Sequence, residues 1–190
     1  MQGVSAGGMT VSFPMPHDLS PRRHSLRLKG YDYSQAGAYF ITVCTHRRVL
    51  LFGDVIEANV RLNDVGAIVN ESWANLPNHY RGIELDAFIV MPNHVHGIII
   101  VHGIIILSDD TETCHGIPEI VRGFKTFSAR KANEHRRARA AFWQRGYYEH
   151  VIRDGRGLNR IRAYITNNPG CWNDDPENIS PAKIAERGRV

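Results

Sequence analysis

The stretch MPNHVHGIIIVHGIIIL, Met91–Leu107, constrains this chain most. It holds the hexapeptide VHGIII twice in succession, Val95–Ile100 and Val101–Ile106, and three histidines (His94, His96, His102) within nine residues. The run falls short of the ~20 apolar residues that cross a bilayer, and its histidines and glycines argue against a span. Behind a Pro92–Asn93 turn it reads as a strand in the middle of a sheet. Side chains two apart on a strand share a face, roughly 6.6 Å apart, so His94 and His96 can converge on one ion. His102 shares their parity but lies roughly 20 Å beyond His96, out of reach unless a bulge folds the strand back. The second hexapeptide therefore either lengthens the strand or loops out.

The flanking sequence supplies the rest of the sheet. AYFITVCTH, Ala38–His46, is rich in aromatic and β-branched residues and predicts strand one. Asn63 is an N-cap candidate for a helix in which Val65, Ile68, Val69, Trp73 and Leu76 recur at helical spacing, ended by Pro77 and Asn78. IELDAFIVM, Ile83–Met91, is strand two, and His94 opens strand three. GIPEIVRGFKTFSARKANEH sets Ile120, Phe124 and Phe127 on one side of a second helix and basic residues on another. Tyr147–Asp154 is strand four, and LNRIRAYITNNP a final helix stopped by Pro169. The order β-α-β-β-α-β plus a helix predicts an α+β, ferredoxin-like antiparallel sheet with two helices on one face. The other face is left for a ligand or the final helix.

At 190 residues the chain is expected to be one domain. A Gly/Ser/Pro-rich arm precedes it at residues 1–20, the domain spans 21–180, and a basic tail occupies 181–190. The N-terminus lacks the pattern of a secretory signal, and three widely spaced cysteines suggest a reducing compartment. The expected location is cytoplasmic. Net charge is only +4, but Arg122–Arg139 holds seven Lys/Arg against one acid, and Arg22, Arg23, Arg27 and Lys29 form a second cluster. Two basic patches on a nearly balanced protein suggest a polyanion; a solvated helix face is the bland alternative.

H-x-H alone is weak evidence, since ten histidines in this chain would produce about half such a pair by chance. Its position adds weight, because two imidazoles buried in a sheet need hydrogen-bond partners. Tyr164 and Asn168, four apart, lie on one face of the last helix and could pair a phenol with a carboxamide ligand. In isolation an inward-packed aromatic and an Asn cap explain the pair equally simply.

FIVMPNHVHGIII, FWQRGYYEHVIRD and LNRIRAYITNNP, together with RLKGYDYSQAGAYFITVCTHRR and LFGDV, resemble the REP-associated tyrosine transposases. These are HUH single-strand transposases of the insertion-sequence-200-like type, and the similarity covers roughly residues 20–180. The resemblance implies that Tyr164 is the catalytic nucleophile and that His94, His96 and the Asn168 side-chain oxygen bind a divalent metal, Mg²⁺ or Mn²⁺. It implies cleavage and rejoining of single-stranded DNA near hairpins through a 5′-phosphotyrosine adduct, with a free 3′-OH. Arg22, Arg23, Arg27, Lys29, Arg122, Lys125, Arg130 and Lys131 are the candidate DNA contacts, and His150 with Arg153 the candidate supporting pair. Monomer and homodimer both stay open, and no membrane partner is expected. The relatives carry one copy of the hexapeptide. Tyr147 and Tyr148 are rival nucleophiles with no ligand one helical turn away. Phe142 and Trp143 could stack on a base but fit a core better. A decayed or domesticated DNA-hairpin-binding protein is the main competing function, and a hydrolase using water a third.

Overall fold

The computed structural model describes residues 34–107, 115–175 and 177–178. The arm, the cluster Arg22, Arg23, Arg27 and Lys29, and the tail lie outside the described residues. The elements are β1 (Gly37–Cys44), β2 (Gly53–Ile56), β3 (Asn59–Leu62), α1 (Asp64–Ala74), the single turn α2 (Leu76–His79), β4 (Tyr80–Met91), β5 (His94–Leu107), α3 (Ile117–His135), β6 (Tyr148–Ile152) and α4 (Gly155–Asn167). The main sheet runs β4-β5-β1-β6 and every pairing in it is antiparallel. That is the ferredoxin-like order, with β5 and β1 central.

The period-2 alternation of β5 sorts the two layers. Val95, Ile99, Val101 and Ile105 join the core against α1 and α3, with Trp73, Phe124 and Trp143. Ile98 points the other way and packs with Phe40, Ile152 and Ile165 beneath α4. The final helix thus covers the face left open by the first two. Phe142 and Trp143 are core residues, the indole N–H donating to Ser128 Oγ at 3.0 Å.

Several boundaries differ from expectation. Asn63 does cap α1, accepting from the Gly66 N–H at 3.0 Å. The helix stops at Asn75, however, and Pro77 lies in the first turn of α2, where its missing N–H costs nothing. Likewise α4 ends at Asn167, and Pro169 sits inside a 3-10 turn, Asn168–Asp174. Asp154, assigned to strand four, instead caps α4 by accepting from the Gly157 N–H at 2.6 Å. The β2–β3 hairpin was not anticipated. Its turn residues Glu57 and Ala58 both have positive φ (51° and 59°). A two-residue turn of that kind normally announces itself as Asn-Gly.

The repeated hexapeptide both bulges and builds core. Ile83 pairs with Val101 and Arg81 with Ile106, so His102–Ile105 stand opposite Gly82 alone. A Cβ on Gly82 would collide with the Ile104 carbonyl oxygen, so only glycine fits there. Ile104 is 70% exposed at the bulge while Ile105 is fully buried. A second irregularity between Leu85 and Phe88 pushes Asp86 out of the β4 ladder.

Candidate functional site

His94 and His96 are carried on the α4 face of β5, 0% and 1% exposed. Their ring centroids are 4.5 Å apart. Asn93, buried in the turn before them, fixes the first imidazole. Its Nδ2 donates to the carbonyls of Arg48 (3.1 Å) and Glu177 (2.7 Å). Its Oδ1 must therefore be the acceptor facing His94 Nδ1 at 2.9 Å. That places the proton of His94 on Nδ1 and a lone pair on Nε2. Nε2 is buried and, among the described residues, has no hydrogen-bond partner.

His96 is arranged in the same sense. Its Nδ1 lies 2.8 Å from Thr42 Oγ1 and its Nε2 3.3 Å from the Tyr164 hydroxyl. With the phenol donating, Nδ1 again carries the proton. Burial pushes the His96 pKa down to about 3. Burial, then the adjacent His96 and Arg48, holds His94 well below its ordinary value. Both are thus neutral imidazoles near pH 7, the form that ligates metals.

Tyr164 reaches the pair from α4, its ring edge-on to Phe40 at 6.1 Å. The bidentate contact of Arg162 with Asp86, Nε to Oδ1 at 2.9 Å and a terminal nitrogen to Oδ2 at 2.5 Å, ties that helix to the β4 bulge. Burial raises the Tyr164 pKa, the charges of Asp175 and Glu177 raise it further, and the Asn168 side chain opposes them. Asn168 is 3% exposed, and its Oδ1 is a second buried acceptor without a hydrogen-bond partner among the described residues.

Sequence reasoning missed Asp175. Its carboxylate and the ring nitrogens of His94 and His96 offer ligand atoms all within 4.8 Å of one another. The NDDPEN run after the last helix was the available signal. Two neutral imidazoles, an amide oxygen and a carboxylate are a donor set that fits a divalent cation.

The other candidates are dispersed. His102 is exposed and pairs with Glu84 at 3.0 Å, away from the histidine pair. Tyr147 donates to Glu149 at 2.7 Å. Tyr148 shares the row of His96 and Thr42 but stands two strands away, its phenol pKa raised by burial. His150 and Arg153 are exposed at and beyond β6. The basic residues of α3 belong to the opposite layer from the histidines. Lys125 is used internally, its ammonium donating to the carbonyls of Gln144 (2.7 Å), Arg145 (3.0 Å) and Gly146 (3.2 Å). Arg122 pairs with Glu119, Lys131 approaches Glu71, and Arg130 stacks on Phe127. Arg130, Arg137 and Arg139 line one open cavity at the end of α3.

The fold thus brings the His-x-His pair of β5 and the helix-borne Tyr164 to one place, Tyr164 Oη lying 3.3 Å from His96 Nε2. The family model for IS200-like transposases matches residues 33–168, and the chain belongs to that family. It is therefore a DNA-processing transposase. A Haemophilus influenzae protein of no assigned function is 40% identical over 168 residues, covering 80% of this chain and 91% of that one. A provisionally named REP-associated tyrosine transposase from the same organism is 24% identical over 144 residues, 73% of each. A REP-associated tyrosine transposase solved bound to a REP hairpin shares the fold at a TM-score of 0.51 and 20% identity, covering 87% of this chain and 88% of that one. Among the described residues no helix is long and apolar enough to cross a membrane.

Proposed function

We propose that this transposase is a divalent-metal-dependent DNA transesterase, cleaving and rejoining single strands near hairpins through a 5′-phosphotyrosine at Tyr164. One observation carries the reading. Among the described residues, His94 Nε2 and Asn168 Oδ1 are buried acceptors without a hydrogen-bond partner and are atoms a metal would use, and Tyr164 stands on the neighbouring imidazole, His96. Burying such acceptors without a partner costs roughly 1–3 kcal/mol each, a cost a bound cation offsets.

The chemistry then follows from the residues. His94, His96 and Asn168 would hold Mg²⁺ or Mn²⁺, and the ion would supply Lewis acidity to a phosphate oxygen and stabilise the phenolate. Tyr164 Oη attacks the phosphorus, forming one P–O bond as the bond to the 3′ oxygen breaks. The phenol proton passes to solvent and the leaving 3′ oxygen takes one up. The phosphotyrosine keeps the energy of the phosphodiester, so the reverse attack by a 3′-OH rejoins strands without ATP. Tyr164 meets His96 from this chain's own helix, which supports a site assembled within one molecule. DNA reaching both Tyr164 and the arginines of α3 would have to pass round the edge of the sheet.

The test is covalent trapping on single-stranded, hairpin-flanked DNA with Mn²⁺. The native protein should form a denaturant-resistant adduct. Tyr164→Phe should lose the adduct while keeping DNA affinity and Mn²⁺ binding, since only the hydroxyl goes. DNA binding with no adduct from the native protein would favour a non-catalytic hairpin-binding role.

A further inference from the structure

We propose that Asp175 is a fourth ligand of the metal, delivered to the site by the chain that follows the tyrosine helix. The inference rests on the metal reading above and adds to it a residue that neither the H-x-H strand nor α4 supplies.

Asp175 is only 6% exposed, and its carboxylate groups with the ring nitrogens of His94 and His96 within 4.8 Å. Beside it lies the buried His94 Nε2, which has no hydrogen-bond partner among the described residues. The segment that carries it is fixed rather than draped. Trp172 packs its ring 6.0 Å from His94. The Asn178 side chain donates to the Trp172 carbonyl at 2.8 Å. Asn93, which sets the tautomer of His94, also grips the Glu177 carbonyl. One residue of the Pro-Asn turn therefore orients an imidazole and anchors the acidic segment together. The Glu177 N–H donates to Asp175 Oδ1 at 2.7 Å, orienting the carboxylate.

The charge balance points the same way: a dication held by the Asp175 carboxylate would favour a nearby phenolate. Two imidazoles and an amide would leave the full +2 on the ion. Adding Asp175 lowers it to +1, which trades Lewis acidity for affinity. An added carboxylate also moves the site toward Mg²⁺ and Mn²⁺ and away from Zn²⁺. The four protein donors leave open positions on a six-coordinate ion for a phosphate oxygen and water.

The experiment is Mn²⁺ titration of the full chain by calorimetry, with Asp175→Asn, Asp175→Ala, Asn168→Ala and His94→Ala, each checked for folding by circular dichroism. Asp175→Asn preserves the acceptor for the Glu177 N–H. Loss of even an outer-shell partner costs about 10–100-fold in metal affinity, so both Asp175 variants should weaken Mn²⁺ binding about tenfold or more. Selectivity for Mn²⁺ over Zn²⁺ should fall as well. Native affinity in both Asp175 variants, with loss in His94→Ala and Asn168→Ala, would overturn Asp175 as a ligand and keep the three-ligand reading. Native affinity in His94→Ala as well would overturn the metal site itself. Diffraction from Mn²⁺-soaked crystals of the native protein decides the matter without a variant: the anomalous peak should bond to the Asp175 carboxylate, and a peak bonded only to His94, His96 and Asn168 would refute it.

Discussion

The two copies of VHGIII place chemically identical glycines in opposite surroundings, so Gly97→Ala and Gly103→Ala form an internally controlled experiment. A Cβ on Gly97 would collide with Trp73 Cζ2 and lie 2.8 Å from Cη2 and 2.9 Å from Phe88 Cδ2. Ordinary contact needs roughly 3.5–4.0 Å between carbons, so the indole would have to retreat by about an ångström. It has nowhere to go. Trp73 is 2% exposed, stacked on Phe88 at 4.6 Å and 5° and met edge-on by Phe124 at 5.2 Å. Overpacking of this kind costs about 1–3 kcal/mol. A Cβ on Gly103 meets nothing within 4 Å, so Gly103→Ala should change stability by no more than about 0.5 kcal/mol. Urea unfolding of both variants reads the difference. Trp73→Leu should relieve the clash, giving Gly97→Ala a coupling of about 0.5–3 kcal/mol with it. Equal midpoints for the two alanine variants, or additive costs in the double mutant, would refute the reasoning.

Acid should destabilise the metal-free protein through the histidines. The His96 pKa in the fold, about 3, lies below its unfolded value near 6.5, so its contribution is present above about pH 6.5 and is lost as pH falls. Between pH 8 and pH 5 that loss is about 2 kcal/mol from His96 alone. Urea midpoints at the two pH values check it, and a His96→Gln variant should show a smaller drop. Lys125→Ala should cost about 0.5–1.5 kcal/mol in stability by removing the ammonium that holds the carbonyls of residues 144–146; thermal melts measure this. Neutralising Arg122, Arg130 and Lys131 together should leave melting nearly unchanged but lower the salt slope of DNA binding by about 0.7–0.9 for each phosphate left without its cation. An unchanged slope would place DNA elsewhere.

The order of the main elements was legible because each long element carries its own period. The alternation of β5 and the 3.6-residue spacing of Val65, Val69 and Trp73 survive in the fold as buried faces. The β2–β3 hairpin was not legible, because Glu57-Ala58 adopts a glycine-type turn with no glycine or asparagine to mark it. The fate of the second hexapeptide was also hidden. Parity predicts which face Ile105 takes, but the bulge depends on Gly82, remote in sequence from the repeat. At the site, the spacing of His94 and His96 was readable from strand geometry, and that of Tyr164 and Asn168 from the helix. Asp175 was not, since a 3-10 turn has no long period to project it toward the histidines. The charge run of α3 read as a binding face, yet one of its cations, Lys125, ties down a loop; charge alone does not distinguish a solvated ammonium from a capped one.

The most direct test of the account is the identity of the residue that holds DNA. After Mn²⁺-dependent trapping and nuclease trimming, tryptic digestion should put the nucleotide adduct on the peptide Ala163–Lys183, whose only tyrosine is Tyr164. An adduct on Gly146–Arg153, which carries Tyr147 and Tyr148, would contradict the assignment of the nucleophile and the site built around it.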